Sequence, residues 1–208
     1  MVSRVVRPVG VVLSLAFGVA AYAGMAGTKH DFTSQGWSGG SICAPCHTPH
    51  NANTAITGAP LWAHATTAAT YTLYSSPTMN ATVTQPTNYA SKLCLSCHDG
   101  TVALDSFGGK TGTSFISAAN KTGTDLRGTH PIGIVFNAAL ATADKGLFNP
   151  DTKTIPTGDT VTKGMLFGTG ALECASCHDV HNTVSAGNTF LLRVTATGSA
   201  LCLTCHNK

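Results

Sequence analysis

The sequence predicts a mostly irregular fold of loops with short α-helices and few strands. Three observations predict it. Small residues dominate, with 22 glycines in 208 positions, while charged residues make up only 10%; such a chain shows no sustained helical or strand periodicity. Its eight cysteines fall into four Cys-x-x-Cys-His motifs with none left over. The polypeptide between those motifs is also short, too short to build a conventional core around each.

The motifs are Cys43-Ala44-Pro45-Cys46-His47, Cys94-Leu95-Ser96-Cys97-His98, Cys174-Ala175-Ser176-Cys177-His178 and Cys202-Leu203-Thr204-Cys205-His206. This pattern is the attachment signature of c-type haem. Two thioethers fix the porphyrin, and the adjoining histidine fills one axial position of the iron. Similar spacings serve zinc, and even cysteine counts serve disulfide frameworks. Neither explains four identical motifs that consume every cysteine. The expected cofactors are four covalently attached c-type haems, with His47, His98, His178 and His206 as proximal ligands. The polypeptide is then wrapped around four haems that form the core.

The first 23 residues predict export. Arg4 and Arg7 precede an apolar run from Val9 to Ala23 that ends in Ala21-Tyr22-Ala23. These are the basic, apolar and small-residue parts of a signal peptide, and the run is short for a spanning helix. No stable membrane span is expected after cleavage. Cleavage leaves about 185 residues, roughly 46 per haem. It also removes two of the 12 basic residues, leaving 10 against 9 acidic ones. Haem propionates add negative charge, so nucleic acid is not an expected partner.

Aligning the motifs exposes an internal repeat. Each half presents a lone histidine, then Cys-x-x-Cys-His-x-x-His-Asn, then a second attachment site preceded by Ser-x-Leu. In the first half these are His30, Cys43 to Asn51, and Ser91 to His98. In the second they are His130, Cys174 to Asn182, and Ser199 to His206. Residues 24–110 and 111–208 are accordingly expected to be two dihaem modules. Ser91-Lys92-Leu93 opens a short helix carrying Cys94 and Cys97. The stretch from Gly100 to Glu173 is expected to be a linker and the entry to the second module. A helix is predicted near Phe136–Lys145, ending before Gly146, and a hairpin strand over Thr160–Phe167. Trp62, Tyr71 and Tyr74 are expected against haem faces or edges.

The sixth ligand of each iron decides the function, because a filled site passes electrons and an open one binds small molecules. Five histidines remain for four positions. His50 and His181 each lie three residues past a proximal ligand and cannot reach around the macrocycle, so their target is a different haem. Pro49 restricts the backbone before His50. His30 and His130, equivalent in the repeat, take the remaining two irons. His64 has no counterpart in the second half and is expected to pack or to contact a propionate. Met79 and Met165 are the other conceivable ligands, but histidine is in surplus.

These residues resemble the multihaem c-type cytochromes of the doubled Cys-x-x-Cys-His family. Thr28-Lys29-His30-Asp31-Phe32, Cys43 to Asn51, Ser91 to Gly100, His130-Pro131 and Cys174 to Asn182 carry the likeness. The chain is also similar to extracellular tetrahaem cytochromes of metal-reducing bacteria that polymerise into conducting filaments. That resemblance implies bis-histidine haems in a continuous row, with one distal ligand supplied by a neighbouring subunit. His30, on a short N-terminal arm, is the natural candidate, acting either in its own subunit or in the next. The expectation is therefore an electron carrier rather than an enzyme. Its partners would be redox proteins or extracellular acceptors, and it would form a homo-polymer at the cell surface. A soluble periplasmic shuttle and a reductase with one open haem are the alternatives.

Overall fold

Regular structure is scarce because few stretches carry both a cap and a buried face. The computed structural model describes residues 24–185 and 187–208, so the expected signal segment 1–23 lies outside the described residues. The most complete α-helix among the described residues is α1 (Tyr89–His98). The Asn88 side chain caps it, accepting the Ala90 N–H at 3.0 Å, which satisfies one of the free donors of the first turn. It ends at Asp99, whose N–H reaches Leu95 O at 2.9 Å, followed by Gly100 at φ +79°. As expected from Ser91-Lys92-Leu93, α1 carries Cys94, Cys97 and His98. The equivalent stretch of the second half forms only a 3-10 turn at Cys202–Thr204. There Gly198 replaces Ala90 and stands at φ +61°, with Ser199 at +60°, so the helix cannot begin.

Helix α2 (Ala138–Asp144) is capped by Asn137, which accepts the Leu140 N–H at 2.9 Å. It stops where Lys145 turns left-handed at φ 61°, close to the predicted bounds. The expected strand over Thr160–Phe167 is instead helix α3 (Val161–Met165). Val161 and Met165, four residues apart, are both buried, which is a helical and not an alternating spacing. Thr160 caps this helix. One turn, α4 (Cys174–Cys177), carries the third motif and opens on a reciprocal cap: the Glu173 N–H donates to Ser176 Oγ at 2.8 Å. Strands β1 (Ile134–Val135) and β2 (Ala171–Leu172) pair antiparallel, Ile134 opposite Leu172 and Val135 opposite Ala171.

Two small apolar clusters hold these pieces. Phe136, Ala141, Ile155, Val161 and Met165 form one. Tyr71, Leu95 and Leu126 form the other. The stretch expected to be a linker, residues 100–173, thus supplies the whole buried centre of the first cluster. Its apolar residues come in short runs broken by Gly and Pro, so no sustained periodicity announces the cluster. Helix α1 packs on α4, and α3 packs on α4 as well. The third attachment turn is therefore wedged between the second motif's helix and the apolar cluster.

Candidate haem-binding site

The first and third motifs sit in the same loop built twice. After each motif the chain leaves, turns through a left-handed asparagine (Asn51 φ 58°, Asn182 φ 54°) and returns beside its own histidine. The returning strand is pinned at matching points. Thr48 N–H meets Leu61 O at 2.9 Å, and Asp179 N–H meets Leu191 O at 2.8 Å. Ala63 N–H meets Cys46 O, and Arg193 N–H meets Cys177 O, both at 2.8 Å. Each return places a carbonyl on the proximal imidazole: Pro60 O lies 2.7 Å from His47 Nδ1 and Phe190 O lies 2.8 Å from His178 Nδ1. Asn120 O stands 3.0 Å from His98 Nδ1. A carbonyl can only accept, so Nδ1 holds the proton and Nε2 keeps its lone pair for a metal. Sequence reasoning missed these three carbonyls, since backbone acceptors carry no side-chain signature. The Asn after each His-x-x-His was the one hint of the turn.

The histidine rings then fall into three pairs. His47 and His181 lie 6.2 Å apart between centroids at 19°, His30 and His98 lie 6.1 Å apart at 49°, and His130 and His206 lie 6.3 Å apart at 72°. Metal–imidazole bonds of about 2 Å on each side separate two ring centroids by about 6 Å. The residues present therefore fit an iron held between each pair. Each pair joins one motif histidine to one of the histidines expected on the distal side.

The electrostatics favour ligand forms. Burial, then the charges of His98, His178 and His181, push the His30 pKa down to about 4, so His30 is neutral near pH 7. Burial and His47 lower His181 against the opposing pull of Asp179. Burial and then His130 lower His206. His50 and His178 are both exposed, and among the described residues no histidine ring faces either at a comparable distance. His64 is only 3% exposed. Its Nδ1 lies 2.7 Å from Ala65 O, and its Nε2 lies 3.3 Å from Leu104 O and 3.7 Å from Cys97 Sγ, which puts it beside the second attachment motif. Met165 is buried within the first apolar cluster.

No disulfide joins the eight cysteines, and their mutual influence orders the motifs. Burial and then Cys46 push Cys97 up to about 12. Cys174, then burial, holds Cys94 well above the usual thiol range. Burial, then Cys177 and Cys202, pushes Cys205 up to about 12. First motif thus neighbours second, second neighbours third, and third neighbours fourth. Among the described residues, no three Cys, His, Asp or Glu side chains converge as a closed zinc site would need.

Residues 164–208 match the family described as Doubled CXXCH motif. No curated protein matches the chain. The family match supports a multihaem c-type cytochrome: a protein that binds c-type haem covalently and transfers electrons. Such cytochromes are generally exported, and among the described residues no helix is long and apolar enough to cross a membrane.

Proposed function

We propose that this chain, which carries the doubled CXXCH motif over residues 164–208, is an exported tetrahaem electron-transfer protein that assembles into a filament of its own copies. The observation that carries the proposal is the set of three histidine pairs at 6.1 to 6.3 Å. Haem, once attached at the four motifs, supplies the one-electron redox centres. The protein's part is to close each iron on both faces and to hold neighbouring centres close together. Cys46 with Cys97, Cys94 with Cys174, and Cys177 with Cys202 and Cys205 set a row that follows the chain order. Imidazole on both faces keeps substrates out and favours electron passage over catalysis.

Filament assembly rests on the fourth iron. His178 has its Nδ1 fixed by Phe190 O, and His50 is the one distal candidate with no ring partner. Both are exposed, so His50 of one copy serves the His178 iron of the next. His30, for which the sequence leaves both its own subunit and the next open, has its ring 6.1 Å from that of His98 in its own chain. The test is spectroscopic. The holoprotein should contain four haems by pyridine haemochrome assay. His30→Ala, His130→Ala and His181→Ala should each convert one low-spin ferric haem to high spin by electron paramagnetic resonance. Three variants with wild-type spectra would sink the proposal.

A further inference from the structure

Of the buried acids outside the ligand set, Asp99, Glu173 and Asp179, Glu173 lies between two attachment motifs. Glu173 is only 3% exposed and sits where α1 meets α4, between the second and third attachment motifs. The Ser91 hydroxyl donates to its carboxylate, and the same Ser91 Oγ accepts the Cys174 N–H at 2.9 Å. The Ser176 backbone N–H donates to the Glu173 main-chain O at 3.0 Å. Ser91 lies one turn before Cys94, and Glu173 directly precedes Cys174. The carboxylate therefore stands beside the two cysteines that bring the motifs together. Among the described residues the one ion pair is Arg127–Asp125, so no Lys or Arg neutralises Glu173. Lone buried carboxylates are costly and are rarely kept without a role.

Resting on the electron-transfer reading above, we infer that Glu173 sets the reduction potentials of the haems on Cys94/Cys97 and Cys174/Cys177, and takes up a proton when they are reduced. An ionised carboxylate favours ferric iron and lowers the potential. When an electron arrives from the upstream donor, the added negative charge draws a proton from solvent onto the carboxylate, so one electron and one proton enter together. Cys174 faces Glu173 from α4 and becomes a thioether on haem attachment, so the titrating groups at this junction are Glu173 and the haem propionates, which Glu173→Gln separates. Burial already raises its pKa, against the opposing Ser91 bond, and reduction raises it further.

Redox titration of the holoprotein at several pH values tests this. In the wild type, two of the four midpoints should fall as pH rises through a range above that of ordinary carboxylates. In Glu173→Gln both should sit higher at neutral pH and lose that slope. Ser91→Ala removes a donor but keeps the charge, so it should move the sloping range to higher pH. Glu173→Gln curves that superimpose on wild type, with four low-spin haems retained, would overturn the inference and leave the parent reading standing. High-spin iron at the two centres in the assembled wild type would overturn both.

Discussion

Tyr71 and Asp99 show how single side chains hold a haem-attachment helix in a chain with little core. The Tyr71 hydroxyl donates to Asp99 Oδ2 at 2.7 Å across 28 residues of sequence. Asp99 directly follows a motif histidine, so this bond ties the end of α1 to the loop before it. Burial opposes ionisation of Asp99, but bonds from Thr67, Thr101 and Tyr71 outweigh it and hold its pKa below the ordinary value. Tyr71→Phe should cost about 1.5–3 kcal/mol, as for a bond to a charged group, in guanidinium unfolding of the holoprotein with haem content unchanged. The pH sign follows. A depressed carboxylate contributes stability above its unfolded pKa and loses it as pH falls through the folded one. The stability gap between the wild type and Tyr71→Phe should therefore narrow as pH falls below the ordinary carboxylate range. Asp179 repeats the arrangement after the third motif, accepting from Thr183 Oγ1 at 2.9 Å and Val184 N–H at 2.9 Å. At this scale the cysteines and histidines were legible because their chemistry is carried by side chains. Pro60 O, Phe190 O and Asn120 O were not, because any residue could supply them.

Short elements here stand or fall on caps and turns. Gly133 enters β1 at φ +71°, and a side chain there would meet Thr84 O at 2.5 Å. Thr84 also donates to Gly133 O from its N–H at 3.1 Å and from its hydroxyl at 2.9 Å. Gly133→Ala combines a left-handed backbone with a clash against main chain, and should cost more than about 1 kcal/mol. Asn137→Ala removes only the α2 cap and should cost about 1 kcal/mol. Denaturant midpoints of the two variants would rank them, and the reverse order would show that the Thr84 segment yields easily. Legibility at this scale followed local signals. Helix α1 was readable from the residues before Cys94, and α2 from Ala-rich sequence stopping at Gly146. Helix α3 was misjudged because Val161 and Met165 give only one helical repeat, which a short strand can imitate. The contrast between α1 and the turn at Cys202 came down to Gly198, a difference that the shared Ser-x-Leu-Cys-Leu pattern hides.

On the scale of the whole molecule, two apolar clusters of five and three buried residues are a small core for a chain of this length. On the proposed reading, haem contact supplies the remainder. Protein produced without haem attachment should show no cooperative unfolding transition by circular dichroism; a sharp one would mean that the polypeptide folds unaided. The same dependence extends to assembly. On the proposed reading, three irons would have both histidines within one chain, while the fourth would have His178 alone until His50 arrives from a second copy. Dilute monomer should then bind carbon monoxide at one haem in four once reduced, and that binding should vanish as copies assemble. Sedimentation and absorbance on the same samples would follow both events. His50→Ala should stay monomeric and keep the carbon monoxide site at every concentration, because the missing imidazole both caps the iron and joins the subunits. If His50→Ala polymerises like the wild type, the junction lies elsewhere. If carbon monoxide still binds within wild-type polymer, the fourth iron is an open site and a small-molecule reaction there becomes the better account.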